Sequence, residues 1–174
     1  MDALKEYNIS FVGLKLGKHS FTYHIDNSFF EVYNYNDFKS IACDVDVVLH
    51  KKTTLLELEF DIKGIVKLNC DLTNELFEQS IKARLDLIVK FGDEFNDENE
   101  EVLILPHSDY QFNIAQYIYE AIVLALPIKR VHPGIKDGTL KSDVLDKHKE
   151  LEIKENKEID PRWDSLNKLL TSKK

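Results

Sequence analysis

The N-terminal half of the chain alternates apolar and polar residues, which is the pattern of half-buried β-strands. Residues 7–25 contain two such stretches, punctuated by Gly13 and Gly17, and they predict an antiparallel pair of strands joined by a turn. Further strands are predicted over residues 41–49, 54–62, 65–69, 81–91 and 102–105. Within residues 81–91, a period of two places the apolar side chains on one face of a sheet.

Two segments interrupt the alternation. Asp26 or Asn27 can cap a short helix, whose apolar contacts come from Phe29, Phe30, Val32 and Tyr33. Residues 92–101 (GDEFNDENEE) are almost entirely polar, and they predict a solvated acidic loop.

A strongly apolar helix is predicted over residues 113–126, with Ser108 or Asp109 and then Asn113 at its entry. Its apolar residues recur at helical spacing and then cover nearly the whole circumference: Ile114, Tyr117, Ile118, Ala121, Ile122, Leu124 and Ala125. This coverage predicts a helix inserted into the core rather than one lying on it. Pro127 disfavours helical geometry at Leu126, so the helix ends there.

The residues after this helix form a short exposed turn that carries Lys129, Arg130 and His132 and reaches Pro133. Residues 134–159 are rich in Lys, Glu and Asp, which predicts a charged linker with a transient helix over residues 142–151. A tail helix is predicted over residues 160–174. Asp160 caps it, Pro161 suits its first position, and one apolar stripe contains Trp163, Leu166, Leu169 and Leu170.

Several strands followed by helices indicate an α+β fold. We expect a curved antiparallel sheet, or a partly closed β-barrel, packed on the central helix and followed by a C-terminal helical tail. Residues 1–133 are assigned to the core domain, residues 134–159 to the linker and residues 160–174 to the tail.

The charge balance limits the choice of partner. The chain has 174 residues and a formal net charge of -8, so it repels nucleic-acid backbones as a whole. DNA binding is not expected, and any RNA contact has to be local. An acidic protein suits a basic partner such as a ribosomal protein. The sequence shows neither a signal peptide nor an apolar run long enough to span a bilayer, so we expect a cytoplasmic protein without a membrane contact.

The residues that catalysis or cofactor binding requires do not form recognisable motifs. The six glycines build no phosphate-binding loop, and the two cysteines and six histidines lack zinc-ligand spacing. His107, Ser108 and Asp109 follow one another but lack a nucleophile elbow. We expect no enzymatic activity, no metal and no cofactor. Cys43 and Cys70 are expected to be buried thiols in a reducing compartment, although the sequence also permits a disulfide between them.

Three segments together resemble the YceD family, also known as large ribosomal RNA subunit accumulation proteins. They are NCDLTNE around Cys70, EAIVLALPIKRVHP over residues 120–133 and DPRWDSLNKLL over residues 160–170. The resemblance implies a strand-rich half with a Cys-x-x-Cys, a helix ending in leucine-alanine-leucine-proline, and a tail helix. Here Thr73 stands in place of the second cysteine, and no cysteine follows Pro133. If relatives bind a metal through their cysteines, packing has to take the place of that metal in connecting the strand to the tail here.

The resemblance implies a non-enzymatic role in the accumulation, processing or assembly of the large-subunit ribosomal RNA. The partner would be a ribosomal protein or a pre-ribosomal particle, and direct RNA contact is left open. The residues predicted to bind it are Lys129, Arg130, His132 and Pro133 after the central helix, and Arg162, Trp163 and Leu166 in the tail. The alternative is a small-molecule carrier with an apolar cavity between sheet and helix. A hydrolase using His107, Asp109 or His132 ranks last.

Overall fold

The computed structural model describes residues 4–99, 102–140, 143–145 and 147, and within them it contains eight β-strands and three α-helices. The strands are β1 (Asn8–Ser10), β2 (Gly17–Ile25), β3 (Ser40–Lys51), β4 (Leu55–Asn69), β5 (Leu76–Gly92), β6 (Asn96–Asn99), β7 (Val102–Pro106) and β8 (Gln111–Asn113). The helices are α1 (Asn27–Val32), α2 (Ala115–Ala125) and α3 (Pro133–Lys136). The α+β class is therefore confirmed.

The main sheet has six strands in the order β2-β3-β4-β5-β7-β6. The first four form consecutive antiparallel pairs, whereas β7 runs parallel to β5. The expected wholly antiparallel sheet is thus wrong, and the described strands do not close into a barrel. The reason lies in the predicted acidic loop. This loop contains β6, which occupies the edge of the main sheet. The chain then returns as β7, which lies between β6 and β5.

The predicted pairing of the two N-terminal strands is also wrong. β1 pairs with β8 in a separate two-stranded sheet, in which Ile9 lies opposite Phe112 and both are buried. The strand β2 pairs with β3 instead. Between β1 and β2, the carbonyl oxygens of Phe11 and Leu14 accept hydrogen bonds from Lys51 Nζ at 2.8 and 2.9 Å. The connection is therefore anchored to the end of β3 rather than folded as a hairpin.

Alternation along β3, β4 and β5 buries one face of the main sheet, as the sequence predicts. The predicted segments 54–62 and 65–69 merge into the single strand β4. Gly64 lies in this strand because its neighbour β3 approaches very closely. A Cβ atom at Gly64 would lie 2.3 Å from Cys43 Sγ and 2.4 Å from the Ala42 carbonyl oxygen. Cys43 and Cys70 are both buried and free, which confirms the thiol interpretation.

The helix α1 begins as predicted, because the Asp26 carboxylate accepts a hydrogen bond from the Ser28 N–H at 2.8 Å. Its end is joined to α2 by aromatic contacts. The rings of Tyr33 and Tyr119 stack with their centroids 4.2 Å apart. This stacking fixes α2 over the same part of the core as α1.

The helix α2 is buried on one face only. Its buried residues are Ala115, Ile118, Ala121 and Ile122. Leu124 is 84% exposed, so the prediction of burial around nearly the whole circumference is wrong. One face of α2 packs on the sheet and the opposite face borders a groove. Apolar residues therefore occur on both faces of the helix. The predicted C-terminal end is confirmed, since Leu126 is the C-cap before Pro127. The helix begins two residues later than predicted, at Ala115, whose N–H donates to Asn113 Oδ1 at 2.8 Å.

The chain divides into one unit of residues Met1–Leu140 and a second of residues Lys141–Lys174. The first unit continues past residue 133 through α3, where Ile135 packs against the core. The tail helix predicted over residues 160–174, and most of the predicted linker, lie outside the described residues. Among the helices that the structure describes, none has the length and hydropathy to cross a membrane.

Candidate functional site

The segment after α2, residues 127–133, is the post-helix turn. Its most exposed side chains are those of Ile128, which is 99% exposed, and Lys129. Pro133 is exposed as the first residue of α3, where a missing amide donor costs nothing. Of the residues predicted to lie in an exposed turn, Lys129 and Pro133 are exposed, whereas Arg130 and His132 are partly buried.

The side chain of Arg130 is partly buried. Its guanidinium donates to the carbonyl oxygen and to Oδ2 of Asp37, both at 3.0 Å, and its side chain is only 23% exposed. Its backbone N–H donates to Asp71 Oδ2 at 2.8 Å, and its carbonyl accepts the Asp71 N–H at 2.7 Å. Arg130 thus connects the post-helix turn to the loop after α1 and to the β4–β5 turn, residues 70–75. Its charge is largely occupied by Asp37.

His132 is the third fixed point of the turn. Its backbone N–H donates to Cys70 Sγ at 3.4 Å, and its Nδ1 accepts the Gly134 N–H at 3.0 Å, which caps α3. Its ring meets the ring of Phe77 edge-on at 5.7 Å. These contacts orient the imidazole as a structural group at the base of the turn.

The Cys70 sulfur is an acceptor for several donors. Burial raises the pKa of the Cys70 thiol, but hydrogen bonds from the Thr73 hydroxyl and from the N–H groups of His132, Thr73 and Leu72 outweigh it. The pKa therefore lies below its ordinary value. Cys43 is the opposite case, because burial, assisted by the charge of Asp44, raises its pKa to about 12.

Thr73 stands where the family resemblance leads one to expect a second cysteine, and its hydroxyl does contact the Cys70 sulfur. No group of three or more His, Cys, Asp or Glu residues gathers in a metal-binding arrangement within the described part of the chain. The tie between the β4–β5 turn and the segment after α2 consists here of hydrogen bonds from His132 to Cys70 and between Arg130 and Asp71.

The residues of the hydrolase hypothesis make separate contacts in the structure. The His107 ring stacks on Phe91 with centroids 6.3 Å apart, and the Asp109 N–H donates to the Pro106 carbonyl. His132 lies at the base of the post-helix turn. No hydrogen bond among the described residues joins His107, Asp109 and His132.

A groove of about 1000 Å³ opens to solvent beside α2. Its walls come from β5, β6, β7, β8 and α2, and its lining includes Leu85, Leu103, Leu105, Phe112 and Val123. We call it the edge groove. The carrier alternative predicted an apolar space between sheet and helix, in the form of an enclosed cavity. The sequence analysis did not predict that one side of α2, including Leu124, is exposed.

The predicted partner-binding residues of the tail, Arg162, Trp163 and Leu166, lie outside the described residues. Of the others, Lys129 and Pro133 lie on the surface and Arg130 and His132 are held by internal contacts. Sequence reasoning missed Ile128, although an apolar residue between Pro127 and Lys129 is a visible signal. It had no means of pairing Arg130 with Asp37 or Asp71.

Comparison with protein-family models gives a match over residues 58–170 to YceD, described as large ribosomal RNA subunit accumulation protein YceD. The match extends over more than half of the chain, from β4 to the tail, and contains all three segments that carry the resemblance. Comparison with curated proteins and with solved structures gives no match.

Proposed function

Because the chain belongs to the YceD family of large ribosomal RNA subunit accumulation proteins, we propose that it supports the accumulation of that RNA by binding a protein of the assembling large subunit. The family match is the observation that carries this proposal. The proposed mode is non-enzymatic, takes place in the cytoplasm and uses no cofactor.

The post-helix turn supports binding as the mode of action. Ile128 and Lys129 project from it, while Arg130 and His132 are fixed to the β4–β5 turn below. A surface whose backbone is already held loses little conformational entropy on association, which favours affinity. An apolar side chain beside a cation is suited to a protein partner with an acidic or amphipathic patch.

The charge of the whole chain supports the choice of partner class. With a formal net charge of -8, the protein attracts basic proteins over long range and repels exposed RNA. Ribosomal RNA would then be affected through a bound protein, with direct RNA contact as a secondary possibility confined to Lys129 and its surroundings.

The test is depletion of the protein in its own cells, followed by rescue with variants and measurement of large-subunit against small-subunit ribosomal RNA. We expect depletion to lower the large-subunit RNA selectively. Ile128→Asp combined with Lys129→Glu should fail to rescue, whereas Lys18→Glu, an exposed change on β2, should rescue fully. An unchanged RNA ratio on depletion would refute the proposal.

Affinity capture with and without nuclease distinguishes the two kinds of contact. A partner retained after nuclease treatment indicates protein binding, and a partner released by it indicates attachment through RNA. The carrier alternative is favoured by one observation, the volume of the edge groove. Native mass spectrometry of the purified chain would reveal a retained small molecule if that alternative holds.

A further inference from the structure

Along one edge of β5, most residues have no partner strand among the residues that the structure describes. On one side, β4 pairs with it from Leu76 to Lys90. On the other side, β7 pairs only from Ile88 to Gly92, and no other described strand pairs with residues 76–87. Alternate residues along this stretch direct their N–H and C=O groups to the open side. Such an edge is a template for a further strand.

The open edge forms one wall of the edge groove. Residues 82–85 of β5 line it, with α2 and β6 opposite. Phe95 is 57% exposed and Leu124 is 84% exposed, and both line the groove. Backbone groups that no described strand pairs with and exposed apolar side chains therefore lie next to each other. That combination is what a bound extended peptide uses, through its main chain and through alternate side chains.

The groove is negative where it meets β6. Asp97, Tyr117 and Glu120 line this part of the groove together. Burial raises the pKa of Tyr117, and the carboxylates of Asp97 and Glu120 raise it further. Asp109 also lines the groove. The basic residues of the lining, Lys82 and Arg84, lie on the outer face of the sheet, where both influence Asp61 of β4. The interior of the groove consequently favours a cation.

We propose that an extended segment of a partner protein adds to the main sheet along β5, with apolar side chains in the edge groove and a lysine or arginine beside Asp97 and Glu120. This inference rests on the proposed function for the source of the segment, because proteins of the large subunit are basic. To the proposed function, the inference adds the surface that binds the partner and the chemical character of the residues that it binds.

The first experiment selects peptides from a random ten-residue display library on the immobilised full chain. We expect the enriched peptides to alternate apolar and polar residues and to carry Lys or Arg. Hydrogen exchange of the chain with one synthesised peptide should then show slower exchange within residues 76–87. Enrichment of acidic peptides, failure to enrich any sequence, or protection confined to other strands would overturn the inference.

Two variants make the test specific. Leu124→Glu should weaken binding of the selected peptide about tenfold or more, because it places a charge among apolar atoms that the bound peptide would bury. Its matched control is Leu16→Glu, at a site that is 64% exposed and outside the groove, and it should leave affinity within about twofold. Circular dichroism melts of both variants confirm folding. Equal affinity in the two variants would contradict the proposed location.

The third variant, Asp97→Asn with Glu120→Gln, tests the charge. It should weaken the selected peptide about three- to tenfold at low salt and reduce the dependence of affinity on salt. A native mass spectrum with a retained small molecule that blocks the peptide would assign the groove to a carrier and overturn the inference. If Leu124→Glu rescues ribosomal RNA accumulation although it has lost the peptide, the edge inference fails and the proposed function stands.

Discussion

Replacing Arg130 with alanine separates the two roles that a basic residue in the post-helix turn can have. One role is to bind a partner and the other is to hold the turn. The structure assigns the guanidinium to Asp37, with two hydrogen bonds of 3.0 Å. Lys129 is its neighbour in sequence, is exposed, and provides a matched control.

The expected loss follows from these contacts. The ion pair involves an Asp37 side chain that is 62% exposed, so it contributes about 0.2–1 kcal/mol. The bond from the guanidinium to the Asp37 carbonyl oxygen contributes about 1 kcal/mol more. We therefore expect Arg130→Ala to lower the free energy of unfolding by about 1–2 kcal/mol, which is a fall in Tm of about 2–8 °C for a chain of this length. Lys129→Ala should change it by less than about 0.5 kcal/mol.

Thermal unfolding followed by circular dichroism measures both variants, and Asp37→Ala completes a double-mutant cycle. A coupling energy of about 0.2–1 kcal/mol between positions 37 and 130 is expected, since Asp37→Ala removes the ion pair but keeps the backbone carbonyl that accepts the other hydrogen bond. Capture of the partner provides the second measurement. If Arg130→Ala keeps the wild-type Tm but loses the partner, the guanidinium serves the interface and the structural assignment is refuted.

Three further predictions concern the core and the ends of its elements. Gly64→Ala should lower the free energy of unfolding by about 1–3 kcal/mol, because two of the three atoms nearest the added Cβ are backbone atoms. Gly13→Ala is the control and should change the free energy of unfolding little, because its Cβ would have no atom within 4 Å. Equal Tm values for the two variants would contradict this prediction. The lowered pKa of Cys70 means that its stabilisation is present above the pKa of the unfolded thiol and is lost as pH falls through the folded value. The stability difference between wild type and Cys70→Ser in urea unfolding under reducing conditions should therefore grow from about pH 7 to about pH 9, and a flat difference would count against the hydrogen bonds to the sulfur. Asn113→Ala should cost about 1–2 kcal/mol, since it removes the acceptor for the Ala115 N–H at the start of α2 and a hydrogen bond to Asn8; a loss below about 0.5 kcal/mol would show that neither matters.

The alternation of apolar residues predicted the central strands of the sheet well, because β3, β4 and β5 bury a single face and that burial imposes a period of two. It could not predict which strands pair. Pairing of β1 with β8 depends on residues more than a hundred positions apart, and nothing in the local pattern of residues 7–25 specifies that partner. The strand β6 contains no apolar residue, so periodicity had no signal to detect.

The position of the post-helix turn in the sequence was predictable, because the covalent geometry of proline ends the helix before it. Pro127 ends α2 and delivers the post-helix turn, wherever the helix itself lies. Which basic residue remains available in that turn depends on Asp37 and Asp71, which approach from other elements and are invisible in the local sequence. For the same reason the edge groove was not foreseen. It arises from the short overlap of β7 with β5, a property of strand register alone.

The pairing of β1 with β8 has a consequence for the order in which the chain folds during synthesis. The side chain of Asn113 donates to Asn8 across a sequence separation of 105 residues. At about 5–20 residues per second, the ribosome takes roughly 5–20 seconds to make the intervening segment. The hairpins from β2 to β5 can form during that interval, since their contacts are local. Ile9 stays exposed on the nascent chain throughout, so β1 is translated before its partner β8 and is among the last of the described strands to be covered.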